Sequence, residues 1–219
     1  MFLVQHSVVF VNIHLQSIDR GKRLVVAWGS SCEATHRDVT PLKSIQEEPD
    51  TKLILHAFDA AIHGTTEISI HSPDNDVFIL ALRRYPELCD DVNFNTGTGP
   101  RRRLIKLKPI VQALGRSKVT ALPGLHALSG ADVTGSFAGK GQVTWWKLFK
   151  EADEETINAL ANIGTRDQPT LDTFAAIEKL VCQLYAPNTT IVHVSELRWW
   201  LFRTKQAQSE KLPPTQEAL

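Results

Sequence analysis

The sequence predicts an α/β protein: a parallel-sheet core followed by a mostly helical C-terminal portion. Three observations predict it. Short apolar or alternating runs, RLVVAW (23–28) and TEISI (66–70), are interleaved with helical stripes in the first half. From ALPGLHALSGAD (121–132) onward the pattern is helical, punctuated by glycines. The 219 residues, 42% hydrophobic and 22% charged, suffice for a sizeable core of ordinary globular composition. Strands alternating with helices, and then helices alone, define this class.

In chain order, MFLVQHSVVFVNIHLQSI (1–18) reads as a buried element. Gln5, His6, Asn12 and His14 interrupt it, no basic stretch precedes it and no small-residue cleavage site follows, which favours a buried element over the alternative of a signal peptide or anchor. RLVVAW is a short buried strand. EEPDTKLILHAFDAAIHG (47–64) carries apolar residues at Leu53, Ile54, Leu55, Ala57, Ala60 and Ala61, a broad helical stripe ended by Gly64. Pro49 is tolerated in its first turn, where its missing N–H would have no helical partner. TEISI alternates, with Ile68 and Ile70 on one face. DVFILALRRY (76–85) follows as a helix stopped by Pro86, VNFNTGTGPRRRLIKL (92–107) as a hairpin around a Gly-rich turn, and KPIVQALG (108–115) as a short helix closed by Gly115.

Four further helices are expected at TWWKLFKEA, EETINALANIG, TLDTFAAIEKLVCQLY and SELRWWLFRTKQ. The last three have Asp153, Thr170 and Ser195 as candidate N-caps. Trp145, Trp146, Trp199 and Trp200 are assigned to packing rather than base stacking. The expected divisions are an apolar N-terminal segment (1–22), an α/β core with a Gly-rich turn (23–150), a helical extension (151–205) and a flexible tail (206–219).

Lys and Arg number 24 and Asp and Glu 24, so the whole chain is no polycation. Between Arg83 and Lys118, however, nine Lys/Arg face three acids, a balance of +6 that fits either a solvated basic face or a local footprint for phosphates. Cys32, Cys89 and Cys182 are odd in number and form no CxxC or Cys/His spacing, which argues against a disulfide framework or a zinc site and for a reduced, intracellular setting, nuclear or cytoplasmic. Structural roles are expected for His56, His63, His71 and His126. No Walker loop, dinucleotide fingerprint or nucleophile triad is present.

The acids carry the chemistry. Asp74 and Asp76 in SPDNDV follow a strand and open a helix, where ligands of open α/β sheets gather. Taken alone, such a pair is better explained by helix capping. Glu48 and Asp50 repeat the i, i+2 spacing at the preceding helix, and Asp132 follows LSG before a Gly-rich segment. Five acids converging from three junctions would repel one another unless divalent cations neutralised them, and Mg²⁺ or Mn²⁺ suits hard oxygen ligands. Two such ions about 3.5–4 Å apart support phosphodiester hydrolysis.

In their order, EEPDTKLILHA, SPDNDVFIL and LSGADVTGSFAGKGQVTWWK resemble the motifs of flap-endonuclease and XPG-type 5′ nucleases, members of the PIN-like fold, over about residues 46 to 150. More closely, the chain resembles a group of uncharacterised invertebrate proteins with EEADT, SPDTDV and ALPGLHALSGCD-like stretches. The resemblance implies a PIN-like core and a Mg²⁺- or Mn²⁺-dependent nuclease, acting on DNA or RNA, with a two-ion site. Glu48, Asp50, Asp74, Asp76 and Asp132 would hold metal, and Asp74, Asp76 and Asp132 would be catalytic. The turn at Gly139, Lys140 and Gly141, together with Arg101, Arg102 and Arg103, would contact the nucleic-acid backbone.

The family also draws on N-terminal aspartates. Here Asp19 and Asp38 stand outside that pattern, so first strands that are missing or replaced are expected, and a domain inactive through truncation stands open beside an active nuclease, endo- or exonucleolytic. The alternative expectation is a non-catalytic scaffold or interaction module that retains the fold. No membrane partner is expected, and the sequence specifies no oligomeric state.

Overall fold

A computed structural model describes residues 2–5, 25–28, 30–35, 38–43, 49–131, 134–205, 208 and 211–219. The chain divides into two compact units, residues 1–113 and 114–219, a division that falls within the span read from sequence as a single core.

The first unit is built on a four-stranded sheet in the order β1 (Phe2–Gln5), β4 (Glu67–His71), β5 (Asp91–Thr96), β6 (Arg103–Lys106). β1, β4 and β5 are parallel, and β6 is antiparallel to β5. The expected α/β class with parallel strands therefore holds, with an antiparallel edge added by the 92–107 hairpin. The N-terminal segment supplies a sheet strand through residues 2–5.

Alternation gives the sheet two unlike faces. Ile68 and Ile70 pair across with Val92 and Phe94, all four are buried, and Phe94 meets Phe78 of α2 (Asn75–Arg84) at 5.0 Å between ring centroids. The opposite face carries Ser69, Asn93 and Asn95, also buried: Asn95 Nδ2 donates to Ser69 Oγ at 2.7 Å and Asn93 Nδ2 to Asp91 Oδ1 at 3.2 Å, while the Asn93 Oδ1 stays unpartnered. Burial of polar groups is tolerated where they bond one another.

α1 (Pro49–Ile62) buries Leu53, Ile54, Ala57 and Ala60 and packs against β1, β4 and α2. Its Leu55 reaches a smaller cluster of Cys32, Val39 and Leu42, formed by a second, antiparallel sheet of β2 (Val25–Trp28) and β3 (Ser31–Ala34) and a 3-10 turn at Thr40–Leu42.

The second unit is helical. α3 (Leu107–Gly130) begins in the first unit and is interrupted at Gly115, whose φ of 75° suits glycine. α4 (Gln142–Glu151), α5 (Glu154–Asn162), α6 (Leu171–Tyr185) and α7 (Val194–Lys205) follow. α6 is the central helix, packing on α4, α5 and α7 around Leu180, Val181, Leu160, Trp145 and Leu197. Gly124 is required by packing: a Cβ there would run into the Leu160 carbonyl of α5.

Asp153 and Thr170 cap α5 and α6 as expected. Ser195 does not cap α7, because the helix starts one residue earlier. Its first N–H, at Val194, donates instead to the buried Glu178 of α6 at 2.9 Å, and Glu178 Oε2 also meets His193 Nδ1 at 3.2 Å. The four tryptophans were expected as core or half-buried packing residues. Trp145 is buried, Trp146, 38% exposed, packs on Phe149 at 5.6 Å between centroids, and Trp200 is 41% exposed. Trp199 departs from the expectation at 64% exposure, because Leu197 and Leu201 occupy the inward stripe of α7.

Part of the C-terminal tail is held in place. Pro213 is buried and its carbonyl accepts from Arg198. Cys32, Cys89 and Cys182 form no disulfide. Among the described residues, no helix is long and apolar enough to cross a membrane.

Candidate metal centre

The carboxyl end of β4 is shaped by nested side-chain turns. Ser72 N–H donates to Asn95 O across the sheet at 3.1 Å, which anchors the chain as it leaves the strand. The Asp74 N–H then donates to Ser72 Oγ at 3.1 Å, and the Asp76 N–H to Asp74 Oδ1 at 2.9 Å. Asp74 is therefore the N-cap of α2, in extended conformation (φ −87°, ψ 135°), and Asp76 lies in the first helical turn. Capping, one of the two readings open from the sequence, is realised here.

The second reading survives beside it. Asp50, in the first turn of α1, brings a carboxylate oxygen to within 4.8 Å of oxygens from Asp74 and Asp76. All three residues are half-buried. Among the described residues they form the one cluster of three acidic or imidazole/thiol ligands that close.

Magnitudes bear on what such a cluster does. Like charges about 4–5 Å apart repel by roughly 3–4 kcal/mol per pair at an effective dielectric of about 20. A divalent cation turns that repulsion into attraction. Around one octahedral Mg²⁺ with bonds of about 2.1 Å, adjacent oxygens lie about 3.0 Å apart and opposite ones about 4.2 Å, and three ligands include at most one opposite pair. Closing from separations within 4.8 Å thus needs up to about 1 Å of movement per oxygen, within the reach of a rotamer adjustment. Three hard, anionic oxygens fit a hard divalent cation and leave positions for water.

The rest of the expected site is distributed as follows. Glu48 and Asp132 lie outside the described residues, as does Asp19. Asp38 is exposed after β3, and its carboxylate accepts from Thr40 N–H at 2.9 Å and Thr40 Oγ1 at 2.7 Å, bonds that lower its pKa.

Arg101, Arg102 and Arg103 are exposed at the tip of the β5–β6 hairpin. Register fixes where that tip emerges. His71, the last residue of β4, pairs with Asn95, Asn95 pairs with Leu104, and the next pair outward is Thr96 with Arg103. The basic tip therefore rises at the same edge of the sheet as the turn that carries Asp74 and Asp76. Gly97 (φ 77°) makes the tip possible, since a side chain there would strike the Arg101 carbonyl.

His71 stands at this edge, with Nε2 3.3 Å from Ser69 Oγ. Burial lowers its pKa, and the nearby Arg102 charge lowers it further.

In the second unit, Gly139 (φ 69°) and Gly141 form the turn into α4, and Gly141 is the N-cap without a side-chain acceptor. Lys140 Nζ lies 4.7 Å from the Tyr185 ring centroid, a cation–π contact.

Sequence reading missed Ser72, whose hydroxyl orients the Asp74 turn. The signal was present as Ser-x-Asp before a helix, a spacing that favours a hydroxyl-capped turn. It also treated His71 as merely structural, without its link to Arg102.

Compared with known proteins, the chain matches no family model, no curated protein and no solved structure.

Proposed function

We propose that the chain is a metal-dependent phosphodiesterase-type domain of the PIN-like, flap-endonuclease class, acting on DNA or RNA. The observation that carries this reading is the meeting of Asp50 and the Asp74/Asp76 pair from two different helix starts, at a sheet edge that also presents three arginines. Asp50, Asp74 and Asp76 would hold Mg²⁺ or Mn²⁺, with Glu48, two residues before Asp50, as a further ligand the sequence suggests. When bound, such an ion polarises a phosphoryl oxygen and lowers the pKa of a coordinated water.

This chain's own residues do the remaining work. Ser72 and the cap bond hold Asp74 in place, and Arg101–Arg103 neutralise phosphate charge beside the acids. The Gly139–Gly141 turn offers backbone N–H groups at the start of α4 to a nucleic-acid backbone.

A second reading, a non-catalytic scaffold, is favoured by one specific observation: capping of α2 already accounts for Asp74. Cleavage of single-stranded and branched DNA and RNA with Mg²⁺ or Mn²⁺ separates the two. The nuclease reading expects metal-dependent cleavage that disappears in Asp50→Asn plus Asp76→Asn, a variant that leaves the cap intact. Cleavage that persists in that variant removes the triad from the mechanism, and no cleavage by the unaltered chain favours the scaffold.

A further inference from the structure

The polar face of the sheet ends in a histidine whose proton can be located by counting donors. Asn95 Nδ2 donates to Ser69 Oγ at 2.7 Å, and Ser69 Oγ lies 3.3 Å from His71 Nε2. Ser69 is buried, so its one hydroxyl proton needs an acceptor inside the protein. Oδ1 of Asn93, the cross-strand partner of Ser69, does not serve, because that atom is unpartnered. The acceptor is therefore His71 Nε2, and the proton of the neutral ring resides on Nδ1. The ring is neutral because burial, and then the Arg102 charge, lower its pKa.

This Nδ1–H has nothing to donate to. Among the described residues, neither it nor the Arg102 guanidinium has a hydrogen-bond or ion-pair partner. The buried side-chain nitrogens and oxygens left without a partner are Asn93 Oδ1 and Trp145 Nε1, so His71 Nδ1 opens to solvent. Arg102 is exposed on the hairpin tip that rises at the same sheet edge. Alternation puts His71 with Ser69, on the face turned away from Phe94 and α2.

The pair of donors selects its ligand. A carboxylate is planar, and one guanidinium fork satisfies it. A phosphate is tetrahedral, and keeps oxygens out of that plane for a donor arriving from a second element. We propose that His71 Nδ1–H and Arg102 form a phosphate subsite for a nucleic-acid strand, with Ser69 and Asn95 as the positioning residues that keep the proton on Nδ1. The inference rests on the nucleic-acid reading above for its polymer. It concerns a phosphate other than the one at the acids, because His71 belongs to the other face, and it needs no metal.

The test is NMR of the His71 imidazole in the full chain, by long-range ¹H–¹⁵N correlation, with hexadeoxythymidylate as titrant. EDTA in the buffer makes the result independent of any cation at the triad. The free chain is expected to show the Nδ1–H tautomer, and the oligonucleotide to shift that proton saturably. His71→Ala should weaken binding roughly tenfold or more, as loss of a hydrogen bond to a charged group implies. His71→Asn, whose amide nitrogen can replace Nδ1, should stay within about threefold of the unaltered chain, which separates loss of the donor from loss of the fold. Arg102→Ala should weaken binding and reduce the salt slope by about one. Ser69→Ala should leave a mixture of tautomers and an intermediate affinity.

An Nε2–H tautomer in the free chain overturns the proposal, as does a His71 signal that the oligonucleotide leaves in place. So does equal binding by His71→Ala, or an equal shift of His71 by hexa-aspartate, which would make the ligand a carboxylate. None of these outcomes touches the acidic triad, and loss of Mn²⁺ binding in a triad variant leaves this subsite standing.

Discussion

Replacing Glu178 gives the sharpest stability prediction, because one buried carboxylate holds the start of a whole helix. Glu178 is 2% exposed on α6 and accepts the Val194 N–H at 2.9 Å. Val194 is fully buried, so in Glu178→Ala its N–H loses its acceptor without gaining water. An unpaired buried donor costs about 1–3 kcal/mol. The lost Cγ methylene is worth about 0.8 kcal/mol more. The sum predicts a loss of roughly 3 kcal/mol. Glu178→Gln keeps the shape and a carbonyl oxygen for Val194, and gives up only the charged contact to His193, whose side chain is 61% exposed. That loss should be about 1 kcal/mol or less. Urea unfolding followed by tryptophan fluorescence and by circular dichroism checks both numbers, and the two probes reveal whether the two units unfold together. An Ala variant that costs under about 1 kcal/mol, or a Gln variant as costly as Ala, refutes the long-range cap.

Other predictions follow from single contacts. Hydrogen bonds from Lys179 and Thr156 hold the Asp153 carboxyl down at about 2. Its contribution to stability is present above the ordinary carboxylate range and is lost as pH falls from about 4 towards 2. Asp153→Asn, which keeps a capping oxygen, should flatten that limb of the acid unfolding curve, and an unchanged limb contradicts the assignment. His71 has its pKa lowered first by burial and then by Arg102, so its contribution is present above the ordinary histidine value and declines as pH falls below it. Arg102→Ala should raise the His71 value part of the way back, read by NMR of the imidazole protons; no movement would place Arg102 away from this edge. Gly124→Ala would gain about 1 kcal/mol from helix propensity at an open site. Here the clash with the Leu160 carbonyl wins, and the thermal midpoint should fall by the equivalent of about 1–3 kcal/mol; a rise contradicts the close approach.

Local pattern made most of the elements legible. α1, β4, α2, the 92–107 hairpin and the helices after residue 107 follow apolar spacing and the stops at Gly64, Pro86 and Gly115. β3 was not legible: Ser-Cys-Glu-Ala has no apolar run, and the strand exists because β2 pairs with it. Nor was the α7 cap, since Glu178 lies 16 residues from Val194 and only packing of α6 on α7 joins them. The exposure of Trp199 escaped for a related reason. Adjacent aromatics cannot all face inward on a helix, and the two leucines had already taken that side. At the site, Asp-x-Asp was legible as a pair, and its dual role as cap and cluster member was not. Spacing alone gives no distance between α1 and α2, and the packing of these helices brings Asp50 to the pair. The basic hairpin was legible as charge, but only strand register places it at the same sheet edge.

Manganese titration of the intact chain, read by loss of the free Mn²⁺ electron-resonance signal, tests the central claim most directly. The account predicts saturable binding by the unaltered chain, and at least a tenfold loss of affinity in Asp50→Asn plus Asp76→Asn, with a metal-free unfolding midpoint no lower than that of the unaltered chain because the carboxylate repulsion is relieved. Equal Mn²⁺ binding by both proteins, or none by either, would contradict a cation site built from the starts of α1 and α2.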